Sequence, residues 1–157
     1  MKPRKKFQWR LTWWKPEGFS TAQVERITSI GAKTLHFWDR NGFLSPSIVK
    51  AHGTGSRRIY SFQDLVALRV AAQLRNAGIS LQSLRNVVTV LREMHGLEHP
   101  LAETYLVTNG HDVFEKHGNE ALSMLHQSGQ RCWAFVVNLS STVNELHKGI
   151  LVIQSAS

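Results

Sequence analysis

A mainly helical α+β fold is the architecture this sequence predicts, and three stretches predict it. Thr34 to Pro46 reads TLHFWDRNGFLSP, an amphipathic helix stopped at a glycine and closed off by a proline. Gly55 to Leu65 reads GSRRIYSFQDL, a basic strand running into the capped start of another helix. Glu103 to Glu115 reads ETYLVTNGHDVFE, two β-rich runs about an Asn-Gly turn. The first two make a helix-turn-helix with a basic two-strand wing. The third opens a small β-rich subdomain, to be followed by a C-terminal helix. Residues 1–18 then form a basic tail and short strand, 19–96 the winged helix-turn-helix, and 97–157 a hairpin-containing subdomain expected to serve dimerisation.

Each element has a local reason. Phe7, Trp9, Leu11 and Trp13 alternate, which is the period of a strand, until Lys15, Pro16 and Gly18 break it. Ser20 and Gln23 are spaced as a capping box and open the first helix, whose inner side is expected to carry Ala22, Val24, Ile27 and Ile30, with Gly31 supplying the turn. The second helix starts near Ala32 or Lys33 and runs to about Asn41, where Gly42 offers a left-handed stop. Leu35 and Trp38 are expected to pack on the first helix, leaving Lys33, His36 and Arg40 outside.

Ile48 to Tyr60 suits a hairpin whose second strand carries Arg57, Arg58 and Tyr60. Ser61 and Asp64 form a second capping box, opening a helix with Leu65, Leu68, Ala72 and Leu74 inward. Gly78 closes that helix and Ser80 caps the next, which sets Leu81, Leu84, Val87, Val88, Leu91 and Met94 in one stripe. Further strands are expected within Leu122 to Leu125 and Cys132 to Val137, with Gly118 and Gly129 in turns. Val143, Leu146, Ile150 and Ile153 fall at spacings of three and four, an amphipathic helix, although Leu151-Val152-Ile153 alone would also suit a strand.

Charge points to a partner. Residues 1–60 hold twelve Lys or Arg against three acids, and residues 61–157 hold seven against eight. The positive field therefore belongs to the segment with the helix-turn-helix, and such a field attracts polyanions. Nucleic acid comes first and an acidic membrane surface second. Cys132 is the one cysteine and cannot close an internal disulfide, and no apolar run nears the about 20 residues of a membrane span. A cytoplasmic chain without membrane attachment is the expectation.

The same residues resemble the MerR family of bacterial transcription regulators. In that family the second helix and its turn usually read like TLRYYERIGLLKP, and TLHFWDRNGFLSP at Thr34 to Pro46 is similar. Arg58-Ile59-Tyr60-Ser61 with Asp64-Leu65 matches the family's Arg-x-Tyr-Ser wing end and acidic helix start. Gly78-Ile79-Ser80-Leu81 looks like the Gly-Phe-Ser-Leu that often opens its fourth helix. The likeness covers roughly 19–90, and three motifs in order make it specific.

The resemblance implies a homodimer on double-stranded DNA, the second helix in the major groove and the wings on the flanking backbone. Lys33, Thr34 and His36 lie near the end of the helix that reaches base edges in such docking. Arg57 and Arg58 are placed to meet phosphates or a narrowed minor groove. Tyr60 either donates to a phosphate or packs on the third helix. Thr21, Phe37 and Arg40 complete the expected DNA contacts, with Arg4, Lys5 and Lys6 as an N-terminal arm. Two positions depart from the pattern: His36 stands where the family usually has Arg and lacks its bidentate fork, and Phe37 and Trp38 replace two tyrosines and lack their hydroxyls. Plain core packing is the simpler expectation for both aromatics. Val143, Leu146, Ile150 and Ile153 are the expected dimer stripe.

The expected function is a sequence-specific regulator on an inverted-repeat operator. Repression is favoured because about 60 residues from Leu97 onward are few for a ligand-enclosing sensor. Alternatives are an activator that distorts a promoter spacer, an excisionase-like architectural factor, and an antitoxin-like interaction module. The sequence names no small-molecule effector. No cofactor, metal or enzymatic site is expected: Gly53-Thr54-Gly55 lacks the residues of a phosphate loop, His95 and His99 read as solvated surface histidines, and Cys132 beside Trp133 as a buried small side chain.

Overall fold

The computed structural model describes residues 18–52, 57–108, 110–117, 120–123, 135–136 and 139–155. The expected strand at Phe7 to Trp13, the wing tip, the turns at Gly118 and Gly129, and Cys132 lie outside those residues. The chain forms two compact units, one of 16–73 with 138–157 and the other built on 74–137. The C-terminal helix thus belongs with the helix-turn-helix, not with the β-rich segment, a division different from the break expected at residue 97.

The first unit begins with β1 (Phe19–Ser20), which pairs antiparallel with β2 (Ile59–Tyr60), Phe19 opposite Tyr60. Gly18 permits the approach: it sits at φ +111°, and a Cβ there would run into the side chains of Ile59 and Ile48. Ser20 then caps α1 (Thr21–Thr28). Its hydroxyl accepts from Gln23 N at 3.3 Å while Gln23 Oε1 accepts from Ser20 N at 2.9 Å, the box read from the sequence.

Val24 and Ile30 are buried as expected, whereas Ala22 is exposed and Thr28 takes a place in the core. Thr28 manages that burial by donating to Val24 O at 2.7 Å and accepting from Ile30 N at 3.2 Å. The left-handed residue of this turn is Ser29 at φ 60°, not Gly31, which instead precedes α2 (Ala32–Arg40) in an extended conformation. Leu35 and Trp38 of α2 are buried, and Trp38 meets Phe43 edge-on with centroids 5.4 Å apart. Gly42 at φ +66° follows, as the stop signal predicts.

Beyond Pro46 the chain pairs at one antiparallel bridge, Val49 with Ile59, and β2 leads into α3 (Phe62–Asn76). The Ser61–Asp64 box is present, with Ser61 N donating to Asp64 Oδ2 at 2.8 Å and Asp64 N to Ser61 Oγ at 3.1 Å. The start of α3 is more deeply buried than a one-sided pattern predicts: from Phe62 to Val70 only Gln63 and Arg69 are partly exposed.

α6 (Leu139–Ser155) lies against α1 and α3. Gln73 Nε2 donates to Thr142 Oγ1 at 3.0 Å, and Arg69 reaches Thr28 O and Glu145 Oε2, both at 3.1 Å. Phe62 stacks on His147 with centroids 4.9 Å apart, and burial pushes that imidazole's pKa down. Val143, Leu146 and Ile150 are buried within their own chain, so these three form core and have no surface left for a dimer stripe. Ile153 is half-buried.

The second unit packs α4 (Leu81–His95) and the single turn α5 (Pro100–Glu103) with an antiparallel sheet. Its strands are β3 (Leu106–Thr108), β4 (Val113–His117), β5 (Glu120–Ser123) and β6 (Phe135–Val136), in the order β5-β4-β3-β6. Ser80 caps α4, accepting from Ser83 N at 3.1 Å; Leu84, Val87, Val88 and Leu91 are buried, but Met94 is exposed and drops out of the stripe. The Asn-Gly signal does mark a hairpin, closed by Gly110 at φ +87°, with Thr108 Oγ1 donating to Asp112 O at 2.7 Å. His95 is not solvated: its Nε2 lies 2.9 Å from Oε2 of the buried Glu115. No helix among the described residues is long and apolar enough to cross a membrane.

Candidate nucleic-acid interface

Two inward side chains fix what α2 presents outward. Leu35 and Trp38 anchor one face in the core, so at 3.6 residues per turn Lys33, His36, Phe37 and Arg40 point the other way. Lys33 and Arg40 are exposed, Thr34 is exposed at the flank, and His36 is half-buried. Phe37 is 47% exposed, against the expectation of core packing, because it lies opposite the buried pair. Trp38 alone of the two aromatics is core. The Asn41 amide turns back to donate to Phe37 O at 2.7 Å and so closes the helix end.

The segment around β2 shows a division of labour that charge counting misses. Arg57 is exposed. Arg58 turns inward and sets its Nε 2.6 Å from Oδ2 of Asp39 on α2, with side-chain exposures of only 15% and 13%. That charge-assisted bond braces β2 against α2.

At 1% exposure Tyr60 packs inside, the second of the two roles left open for it. Burial first, then the Asp39 charge, push its phenol up to about 12, with Asp64 adding to the rise while Arg58 and the Thr21 hydroxyl pull down. The hydroxyl is buried without a well-formed hydrogen bond among the described residues. Thr21 is half-buried beside it, not free on the surface. Arg4, Lys5 and Lys6 lie outside the described residues.

Three further residues matter here. Asp39 supports β2, and its one sequence signal is a lone acid in a basic stretch. Asp64 does more than cap α3: its Oδ2 also accepts from Ser47 N at 2.8 Å and Ser47 Oγ at 2.7 Å, tying the chain after Pro46 to the α3 start. Lys50 is exposed beside the Val49–Ile59 bridge, adding a cation near Arg57 in sequence space.

The brace carries a prediction. Arg58→Ala and Asp39→Ala should each lower unfolding free energy by about 1–2 kcal/mol, and the double variant by clearly less than their sum, because each single change strands a partly buried charge. Urea unfolding of the four proteins measures this; strict additivity would show that the pair contributes nothing.

A short helical pair, a basic outward face on the second helix and a β-bridged return segment define a helix-turn-helix domain. Residues 19–90 match the family described as MerR HTH family regulatory protein. Relatives include proteins from Mycobacterium bovis and Mycobacterium tuberculosis, each described as an uncharacterized HTH-type transcriptional regulator and each 34% identical over 129 residues, 82% of this chain. The chain spans 56% of the length of these curated relatives.

Proposed function

We propose that the protein is a sequence-specific double-stranded DNA-binding transcriptional regulator, in which α2 enters the major groove. The observation that carries this reading is the outward face of α2, where Lys33, Phe37 and Arg40 stand clear of the core within the residues that match the MerR family. Lys33 and Arg40 are seven residues apart, about 10 Å along the axis at about 1.5 Å per residue, a span comparable to a groove about 12 Å wide. Arg57, beside the braced Arg58, supplies a flanking phosphate contact, with Lys50 as a second cation on the same segment.

The reading includes a homodimer on an inverted repeat, since paired recognition helices need two half-sites about one helical turn apart. The α6 stripe does not supply the seam, for three of its four residues are core. Leu151 and Val152, 55% and 65% exposed, are the apolar side chains of α6 left for it. Repression is the simplest outcome of occupying a promoter. Selection from a random duplex library tests the whole proposal: it should return one motif with dyad symmetry, and return of no motif would refute it.

A further inference from the structure

We infer that Phe37 is a specificity-determining residue that reads the C5-methyl group of a pyrimidine, thymine in ordinary DNA, in the major groove. The inference rests on the proposed DNA-binding role of α2 and deepens it. A single exposed apolar side chain on a protein surface is common and by itself means little. Phe37 is set apart by its surroundings. It is the one large apolar side chain that α2 exposes, it lies opposite the buried Leu35 and Trp38, and it stands between Lys33, four residues before it, and Arg40, three after.

Those two cations fix what the face can approach, since they favour a polyanion and so place the ring at a groove floor instead of against an apolar protein. The neighbouring polar groups are partly withdrawn from base reading. The Asn41 amide is bonded to Phe37 O, and His36 is half-buried, so the centre of the face offers an aromatic ring flanked by Lys33 and Thr34. A phenyl ring has no hydrogen bond to give to a base edge. The one apolar feature that the major groove presents is a pyrimidine C5-methyl, carried by thymine and absent from unmodified cytosine.

The test uses the full chain and the duplex obtained by selection. Each thymine in turn is replaced by deoxyuridine, which removes the methyl and leaves base pairing intact, and each cytosine by 5-methylcytosine. For the wild type, one thymine per half-site should be sensitive, with about a fourfold loss of affinity per methyl removed, the value of burying one such group. Phe37→Ala should bind with lower affinity and show no sensitivity at that position, whereas Phe37→Leu should retain part of it. Gain of affinity from 5-methylcytosine with no thymine effect would assign the same contact to a methylated cytosine, still a C5-methyl reader. Indifference of the wild type to every C5-methyl on a selected duplex, or equal sensitivity in Phe37→Ala, would overturn the inference alone. A chain that selects no duplex would overturn it together with the reading on which it rests.

Discussion

Asp64→Ala is expected to lower the unfolding free energy of the protein by about 3 kcal/mol, the largest effect of any single polar substitution in the first unit. The estimate follows from what one carboxylate oxygen holds. Asp64 is buried, and its Oδ2 accepts from Ser47 N, Ser47 Oγ and Ser61 N. Loss of a helix cap costs about 1 kcal/mol. Hydrogen bonds to a charged group contribute about 1.5–3 kcal/mol, and donors left without a partner in a part-buried site add their own desolvation cost. Asp64→Asn keeps the shape and one acceptor oxygen and should recover a part of the loss. Thermal and urea unfolding measure both. The change also frees the residues after Pro46 from the start of α3, so DNA affinity should fall further than stability alone explains. An Asp64→Ala protein with unaltered unfolding would show that these bonds contribute nothing.

The second large effect is expected from Leu146→Ala. Leu146 is 1% exposed on α6, between the Arg69–Glu145 ion pair and the Phe62–His147 stack. Truncating a fully buried leucine costs about 2–5 kcal/mol through lost burial and the cavity left behind. Because this burial occurs within one chain, the loss should appear as a lower unfolding midpoint that does not change with protein concentration. Leu151→Asp and Val152→Asp should behave in the opposite manner, with near-normal unfolding of the single chain and weaker self-association in sedimentation. Concentration-dependent unfolding of Leu146→Ala would instead put that residue in a seam between copies.

Local chemistry explains which parts of the fold were legible. Capping boxes at Ser20–Gln23 and Ser61–Asp64 are written in a single spacing of three residues, and each is present in the structure. Gly42 and Gly110 likewise act through their own backbone geometry, and Ser80 through its own hydroxyl. The periodic stripe of α6 was also correctly helical, but periodicity states that a face is buried and not what buries it. A stripe that reads as a dimer seam can equally be core, and Val143, Leu146 and Ile150 are core because α1 and α3 of the same chain cover them.

The interface was legible in part. Counting charge located the basic face, and helical spacing put Lys33 and Arg40 outside. Charge counting gives no sign that Arg58 turns inward, because its partner, Asp39, lies nineteen positions away and carries no local signature. Phe37 was misjudged for a related reason. An aromatic residue is buried more often than not, but its fate on a short helix is set by which side Leu35 and Trp38 take. Ser29 in the left-handed conformation, where a glycine two positions on seemed the natural turn, shows that local preference yields when Thr28 can satisfy both flanking backbone groups.

The most direct test of the central claim, that the outward face of α2 meets a DNA duplex, is the salt dependence of binding to the selected operator by wild type and by Lys33→Ala/Arg40→Ala. Removing two cations from the face that meets the duplex should reduce the slope of log K against log salt by about two units while unfolding stays unchanged, since both side chains are exposed. An identical slope and affinity in the two proteins would contradict it.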